Sequence, residues 1–584
     1  MNEAARLAQA ALARGDLIAA YDIASSAIAA GDSSGAVRHR QVLALARMGD
    51  TERAMELFRA HGLDRSDDPH ERAAGARLLK DRALALPSGE RRRAALRDAF
   101  DAYLAIYRSS GDSFPGINAA TLALLAGEDA EARALAEALL ADPKVRDGTD
   151  YYMAATRAEA LLVLGRASEA GEALLGKAVG ESADHGARAT TRRQLDMVAA
   201  HLGLGESERE ALLAPLAPPR VAHFCGHMFA ADAEAEARVR AEVERVLDEE
   251  RIGFAYGALA CGGDIVVAEA ALGRGVELHA VLPFEEEDFI AQSVAPGGEG
   301  WLERYRACRD AAAAVTFAST MEYFGDPEQF GYASRMAMGL TRLRAGHLGG
   351  ESVQLAVWDG VASDGPAGTG ADVAAWRGEG GRSVVIDPGP VTRGLSRPPP
   401  RVEPRYERSL AAILFTDFVG FSTLAEAALP AFWDGVMRRV AEVLDRHGET
   451  VMCRNSWGDA LYAVAASAPA AAEIALELQD ALAAYDYATL GLDGAGGMRI
   501  GVHYGPAWRA DDPITGRATF YGTEVSKAAR IEPVTPPGAV FATEPLAAIL
   551  ALEAPDRFVC RYVGKIPLAK KYGDYPMYRL SRAD

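Results

Sequence analysis

The first 215 residues have alanine and leucine at helical spacing, which predicts a run of short amphipathic helices. Short breaks interrupt the pattern at Gly15-Asp16, Gly49-Asp50 and Gly127-Glu128-Asp129. Because glycine ends a helix readily and an acidic residue caps the next one, each break marks a helix boundary. Helix pairs at a rough period in the thirties predict an α-helical, tetratricopeptide-like solenoid over residues 1–215.

From about residue 219 the hydrophobic pattern changes to short apolar runs that alternate with helical segments. Apolar strands joined by helices are typical of a parallel sheet with helical crossovers. We therefore predict a Rossmann-like α/β domain over residues 219–390. The runs are 220–227, 253–256, 276–284, 353–360 and 383–387.

A proline-rich stretch separates this domain from the rest of the chain. Proline at this density disfavours a helix or a central strand and favours extended geometry, so residues 391–407 are predicted to be a linker. Residues 408–584 follow the linker and are predicted to form a third domain.

Composition limits the classes of function. With 584 residues the chain is too long for one hydrophobic core, so several domains are expected. A net charge of −20 argues against broad binding to nucleic acid or anionic lipid. The five cysteines are scattered without a C-x-x-C pair, and neither a signal peptide nor an eighteen-residue apolar run is present. We expect a cytoplasmic protein with reduced thiols, bound neither to nucleic acid nor to a membrane.

Two aspartates in the last domain follow apolar runs and stand beside glycine. Asp417 ends the run 411–416, and Asp459 follows Gly458 in a predicted hairpin. Either aspartate alone is more often a turn or cap residue. Together they suit magnesium, which prefers a few carboxylate oxygens shared with substrate phosphates. The turn after Asp417 contains Phe418, Gly420 and Phe421. It is predicted to lead into a helix whose N-terminal amides bind phosphate.

These two motifs resemble the catalytic core of the class III nucleotidyl cyclases. The resemblance implies a ferredoxin-like α+β fold and conversion of ATP to 3′,5′-cyclic AMP and pyrophosphate. It implies that Asp417 and Asp459 bind two Mg²⁺ or Mn²⁺ ions. In the family, one ion activates the ribose 3′-oxygen and the other holds the β- and γ-phosphates.

The resemblance also assigns the remaining site residues and a homodimer with two composite sites. Arg530 matches the arginine that stabilises charge on the α-phosphate, and Ser526 stands where the family usually has a ribose-binding asparagine. A phosphate-binding lysine is expected near the end of the chain. Lys570 is the choice, with Lys571 and Lys565 as rivals.

Two positions concern the choice of base. Asn455 stands where adenine-specific cyclases carry a lysine, whereas Thr519 fits the adenine pattern. ATP is therefore the favoured substrate, and another cyclic nucleotide remains an alternative product. A second alternative is a degenerate cyclase fold that binds nucleotide or dimerises without turnover.

The middle domain has two glycine-rich segments, 257–265 and 365–372, that resemble the SLOG superfamily. The resemblance and the helix N-termini together favour a nucleotide-derived ligand, although the glycines can equally serve only as tight turns. Glu269 lies one turn after Asp264 and contacts either a ribose or solvent. N-glycosidic cleavage by these two acids is the least favoured hypothesis.

Segments 114–121 and 151–160 of the first region resemble the helical TRAF-binding region of the apoptosis-signal-regulating kinases. That resemblance implies a protein partner for the helical region. A plain helical scaffold without a ligand is the alternative. In the favoured hypothesis, the two N-terminal domains regulate the cyclase.

Overall fold

The computed structural model describes residues 2–180, 182–230, 232–362, 365–400, 407–491 and 497–583. Two compact units form the fold. The first comprises Met1–Pro218 with His347–Gly350, and the second comprises Pro219–Gly346 with Glu351–Asp584. The second unit contains both sheets of the protein. Among the described residues, no helix has the length and apolar character needed to cross a bilayer.

The first unit is helical, as predicted. Gly49 ends its helix with a φ of 86°. The side chains of Asp16 and Asp50 accept backbone N–H bonds at the starts of the next helices, which confirms two of the three predicted caps. At the third break, Glu128 precedes α8 but makes no side-chain cap bond. The helices are α1 Glu3–Ala13, α2 Leu17–Ala29, α3 Gly35–Met48, α4 Thr51–Ala60, α5 Pro69–Leu84, α6 Glu90–Ser110, α7 Ser113–Ala126, α8 Asp129–Ala141, α9 Pro143–Asp147, α10 Tyr151–Val163, α11 Ala167–Leu174, α12 Lys177–Gly180, α13 His185–His201 and α14 Glu206–Leu213.

The middle domain contains the predicted parallel sheet, with six strands in the order β4-β3-β2-β1-β5-β6. The strand order changes direction beside β1, and ligands of such sheets bind at the carboxyl ends of the strands there. The elements are β1 Arg220–Gly226, α15 Ala233–Glu249, β2 Ile252–Gly257, α16 Gly263–Gly273, β3 Glu277–Leu282, α17 Glu286–Phe289, α18 Trp301–Ala311, β4 Ala314–Phe317, α19 Glu328–Leu348, β5 Ser352–Val357, α20 Thr369–Gly378 and β6 Ser383–Ile386.

The C-terminal domain is built on an eight-stranded sheet of order β13-β14-β12-β10-β7-β9-β8, with β11 paired to β10. The central strands β7 and β10 pair antiparallel over the whole length of β7. The elements are β7 Arg408–Val419, α21 Leu429–Phe432, α22 Arg438–Arg446, β8 Val451–Trp457, β9 Ala460–Ala465, α23 Ala468–Ala483, β10 Gly497–Asp511, β11 Ala518–Tyr521, α24 Thr523–Ala528, β12 Val540–Thr543, α25 Glu544–Glu553, β13 Phe558–Pro567 and β14 Asp574–Arg582.

The predicted linker is only partly a spacer. Residues 387–400 form neither helix nor strand, as expected from their prolines. However, Val391 and Leu395 pack against the core of the middle domain, and the Gln292 side chain donates to the Pro398 carbonyl at 2.9 Å. This stretch is therefore a strap bound to the middle domain. The remainder of the predicted linker, residues 401–406, lies outside the described residues.

Helix α19 connects the middle sheet to the C-terminal domain within the second unit. The buried Tyr332 hydroxyl donates to the Tyr504 carbonyl on β10 at 2.9 Å. Just before α19, Asp326 forms an ion pair with the buried Arg408 at 3.1 Å. Gly339 lets α19 approach α25 closely, because a Cβ there would lie 1.9 Å from the Ala548 carbonyl oxygen.

We predict that Gly339→Ala destabilises the second unit by about 1–3 kcal/mol, since the added methyl group forces two backbones apart. The matched control is Gly346→Ala in the same helix, where no atom lies within 4 Å of the added Cβ. The control should be neutral or slightly stabilising. Urea unfolding of both variants measures the difference, and equal midpoints would contradict the close helix contact.

Candidate active site

Strand pairing brings Asp417 and Asp459 together at one edge of the C-terminal sheet. Thr416 on β7 pairs with Leu461 on β9, so the residues that follow and precede them meet at the strand ends. Gly458 makes the tight turn between β8 and β9 with a φ of 63°. The Asp417 and Asp459 carboxyl groups lie within hydrogen-bonding contact of each other.

The electrostatics of this pair favour an added cation. Burial, and next the neighbouring Asp417, raise the pKa of Asp459, although the backbone N–H of Phe418 donates to its carboxyl group. Burial and then the negative charge of Asp417 also raise the pKa of Glu532 to about 7. The guanidinium of Arg499 lies 3.8 Å from Glu532. The acidic side chains of Asp417, Asp459 and Glu532 therefore lie close together, and Arg499 lies near Glu532.

The residues fit a divalent cation that also binds substrate. Two carboxylates in contact repel each other, and a shared Mg²⁺ or Mn²⁺ relieves that repulsion. Within the described ranges, no group of three or more His, Cys, Asp or Glu side chains is arranged to hold a metal ion. The aspartate pair would therefore need oxygens from the substrate phosphates or water to complete the coordination of an ion.

The turn after Asp417 differs from the prediction in two ways. Phe421 begins only a three-residue 3₁₀ turn, Phe421–Thr423, and the next regular helix starts at Leu429, so the predicted helix led by Phe421 is wrong. The Phe418 side chain is 2% exposed and packs against Phe432, so only its backbone can face a substrate. Gly420 adopts a φ of 93°, which suits glycine.

A second cluster gathers the residues predicted to act on ribose and phosphate. Ser526 is exposed on α24, and Arg530 follows two residues after that helix. The Ala569 N–H donates to the Arg530 carbonyl at 3.4 Å, which fixes the turn carrying Lys570 beside Arg530. Lys570 and Lys571 both adopt a φ of 59° and are exposed, whereas Lys565 lies on strand β13.

The two clusters are not bonded to each other within one chain. Among the described residues, no hydrogen bond or ion pair joins Ser526, Arg530 or Lys570 to Asp417 or Asp459. The Arg530 guanidinium also has no carboxylate partner in the described part of the chain. It is therefore available to an anion from outside.

The two positions predicted to select the base lie on either side of Tyr462. Asn455 pairs with Tyr462 across β8 and β9, so their side chains lie on the same face of the sheet. Thr519 on β11 forms a side-chain hydrogen bond with Tyr462, whose hydroxyl also donates to the Phe520 carbonyl at 2.7 Å. Asn455 is exposed and accepts a bond from the Ser456 N–H at 2.9 Å.

A buried polar network that the sequence analysis missed anchors α24. Glu524 accepts a bond from Lys527 at 2.6 Å and contacts His503 on β10 at 2.7 Å, and His503 also contacts Thr543 at 2.8 Å. Burial alone would raise the pKa of Glu524, but its bonds to His503 and Lys527 lower it to about 2. The i, i+3 spacing of Glu524 and Lys527 indicates an ion pair on one helix. The contact with His503 could not be predicted in the same way, because His503 lies on strand β10.

Comparisons with known proteins agree with this geometry. The family model for the adenylate and guanylate cyclase catalytic domain matches residues 404–581. A model described as Tetratricopeptide Repeats-Sensor matches residues 2–123. No curated protein matches the chain. Assignment of the middle domain to the SLOG superfamily stays a prediction.

Solved structures similar to the chain include adenylyl and guanylate cyclases. The adenylyl cyclase CyaB from P. aeruginosa is 17% identical, covers 31% of this chain and 97% of its own, and has a TM-score of 0.28. The guanylate cyclase domain of RhGC from Catenaria anguillulae, solved with GTP, is 17% identical over 30% of this chain and 100% of its own, with a TM-score of 0.27. An adenylate cyclase from Trypanosoma brucei is 24% identical over 29% of this chain and 87% of its own, with a TM-score of 0.26.

The buried network predicts a large loss of stability for Glu524→Gln, roughly 3–5 kcal/mol at neutral pH, because Lys527 loses its buried carboxylate. Glu449→Gln, at an exposed position, is the matched control. Since folding lowers the pKa of Glu524 from 4.5 to about 2, its contribution is present above pH 4.5 and is lost as pH falls towards 2. Urea unfolding across this pH range checks both points, and a constant difference between parent and variant would contradict them.

The family match coincides with the domain in which the two aspartates meet. Domains of this family generally use divalent metal ions, in agreement with the carboxylate pair. Residues 404–581 are therefore an adenylate and guanylate cyclase catalytic domain, and residues 2–123 match the tetratricopeptide-repeat sensor family.

Proposed function

We propose that the protein converts ATP to 3′,5′-cyclic AMP and pyrophosphate in a homodimer. The single observation that carries this proposal is the contact between the carboxyl groups of Asp417 and Asp459 at neighbouring strand ends. A domain that only bound a partner would gain nothing from placing two like charges in contact, because the arrangement costs stability without a cation.

The proposed roles follow from the position of each group. Asp417 and Asp459 hold two Mg²⁺ or Mn²⁺ ions, which when bound make the ribose 3′-hydroxyl more acidic and neutralise phosphate charge. The backbone at Gly420 and Phe421 faces the phosphates. The 3′-oxygen forms a bond to the α-phosphorus while the bond to the pyrophosphate oxygen breaks.

The other half of the site comes from the partner subunit in this proposal. Arg530 has no carboxylate partner among the described residues, so its guanidinium can stabilise charge on the α-phosphate. Ser526 donates to or accepts from the ribose, and Lys570 binds a phosphate oxygen. Asn455 and Thr519 face the base, with adenine favoured because Thr519 fits the adenine pattern.

Exposed apolar side chains support a dimer surface on this domain. Trp457 is 59% exposed and Tyr521 is 41% exposed, and each stands within two residues of a proposed site residue. Trp433 and Ile514 are 53% and 93% exposed. Large exposed apolar side chains beside a proposed site suit an interface, and a two-fold axis would create two equivalent composite sites.

We also propose that the helical first unit binds a protein partner that regulates the cyclase. The match of residues 2–123 to a repeat family described as a sensor supports this role. The identity of the partner is left to experiment.

We predict that purified protein with Mg²⁺ or Mn²⁺ forms a cyclic product from ATP in preference to GTP, CTP and UTP. Asp417→Ala should lower the rate about a thousandfold, because several kcal/mol of charge stabilisation are lost. Asp434→Ala is the control, since Asp434 is exposed and pairs only with Arg438 within the described ranges. Product analysis by chromatography measures the rates.

Two other results would change the conclusion. Preferential use of another nucleotide would move the proposal to a different cyclic product. If calorimetry shows nucleotide binding but no nucleotide is turned over, and Asp417→Ala equals the parent, the domain is a binding module and the enzymatic proposal fails.

The composite site predicts that two inactive variants restore each other. Asp417→Asn and Arg530→Ala should each be inactive alone. Random exchange of subunits gives about half heterodimers, each with one intact site, so a mixture should recover about a quarter of the parental rate. A mixture of Asp417→Asn with Asp459→Asn is the control and should stay inactive. Failure of the first mixture, with exchange verified by mass spectrometry, would contradict the dimer.

A further inference from the structure

The middle domain encloses a cavity of about 480 Å³ at the carboxyl end of β1, beside the point where the strand order reverses. This volume is within the range of small-molecule sites. Cys225 and Gly226 of β1 and Asp264 of α16 form part of its wall. The strap after β6 contributes Leu395 and Arg397.

Two acidic side chains line the wall, and one oxygen of the first, Asp264, lacks a hydrogen-bond partner within the described residues. Asp264 is 6% exposed, and within the described residues its Oδ1 has no partner, while Oδ2 accepts the Ala260 N–H at 3.2 Å. Burial raises the pKa of Asp372 to about 7, although the Ser334 hydroxyl bonds to it. An unpartnered buried oxygen is costly, so a ligand hydroxyl that donates to Asp264 would be stabilised there.

The remaining wall suits a ring and an anion. Phe289, Tyr323 and Phe330 supply aromatic surface, which packs well on a flat heterocycle. Arg397 supplies positive charge for a phosphate, and the backbone N–H groups that follow Gly368 lie at the start of α20, whose first turn also carries Asp372. A ring, a hydroxyl donor and an anionic group together describe a nucleoside phosphate.

The segment that lines this cavity also contacts the cyclase domain. Along residues 323–337, the cavity is lined by Tyr323, Pro327, Phe330, Ala333, Ser334 and Ala337. Four other residues of this segment contact the cyclase domain. Phe324 packs edge-on against Trp508 at 5.2 Å, Asp326 pairs with Arg408, the Tyr332 hydroxyl donates to Tyr504, and Arg335 pairs with Glu553 at 3.5 Å.

Some of the residues of the cyclase domain that make these contacts pack against α24, the helix that precedes Arg530. Trp508 packs on Gly522, where a Cβ would lie 3.2 Å from its Cδ1, and Gly522 caps the start of α24. Burial and, second, the Glu524 charge raise the pKa of Tyr332, which places Tyr332 beside the buried network of α24. A shift of α19 therefore reaches the helix that precedes Arg530 through packed side chains.

We propose that the cavity is an effector site for a nucleoside phosphate, and that its occupant changes the cyclase rate through helix α19 and strand β10. The proposal rests on the proposed cyclase function for its activity readout. A ligand that contacts Tyr323, Phe330 and Ser334 favours one position of α19 over another, and the buried contacts at Arg408 and Tyr504 transmit that preference to α24.

The experiment uses AMP as the probe with the full-length chain. Calorimetry should show AMP binding that Asp264→Asn and Arg397→Ala each weaken at least about tenfold. Asp417→Ala should leave this binding unchanged, which separates the cavity from the cyclase site. No binding, or binding that depends on Asp417 and not on Asp264 and Arg397, would overturn the proposal.

Coupling is then measured in two ways. AMP should change the cyclase rate at least about fivefold in the parent. AMP should also change hydrogen exchange of residues 504–530 in the parent. The Tyr332→Phe variant keeps the ring but loses the bond to Tyr504. In this variant AMP should still bind, but its effects on the cyclase rate and on hydrogen exchange should be smaller than in the parent.

The two readouts separate the failure of this inference from the failure of the proposed function. Altered exchange at 504–530 without any cyclase turnover would support the coupling and contradict the cyclase proposal alone. An active cyclase whose rate and exchange are unaffected by bound AMP would overturn the coupling alone.

Discussion

The contact between two like charges at the edge of a sheet is the constraint on which the cyclase domain depends. The pairing of β7 with β9 places Asp417 close to Asp459, and the tight turn at Gly458 fixes the backbone just before Asp459. A proton on one carboxyl group relieves the repulsion, and so does a cation that joins the two carboxylates. In the proposed function, a divalent cation has this role, and the pairing of the strands places the two aspartates where it would bind.

Strand β10 connects this metal edge to the rest of the molecule. At one end, Arg499 pairs with Asp417 across the sheet, and at the other end, Trp508 pairs with Arg408. His503, midway along, holds Glu524 and with it the helix that precedes Arg530. One continuous strand therefore touches the aspartates, the anchor of the second half-site and the contacts of helix α19. A shift of helix α19 can therefore be transmitted along β10 to both proposed halves of the site.

The sequence predicted those features that depend on local chemistry. Glycine followed by an acidic residue located helix boundaries at Asp16 and Asp50, because capping involves only near neighbours along the chain. The apolar run before Asp417 predicted a strand, which the structure extends through Asp417 to Val419, and the turn at Asp459 was predicted as part of a hairpin. Their contact could only be expected from the family resemblance, since the register between β7 and β9 is set by tertiary packing.

The missed features involve residues far apart in the chain. Phe418 was assigned to the nucleotide because it follows Asp417, but strand alternation turns its side chain into the core. Glu269, considered as a ribose contact, is instead held by Arg304 and Arg240 on the outside of α16. The second acid of the middle cavity is Asp372, which follows β5 and is brought near Asp264 only by the parallel sheet. Likewise, nothing local in the proline-rich strap indicated that Arg397 would line a cavity.

The most direct test of the central claim is a count of bound Mn²⁺ by electron paramagnetic resonance, in the presence of a non-reactive ATP analogue. The account predicts that the parent protein binds manganese at the aspartate pair and that Asp417→Asn and Asp459→Asn each lose it, while both variants remain folded. Undiminished manganese binding in the two variants would contradict the account.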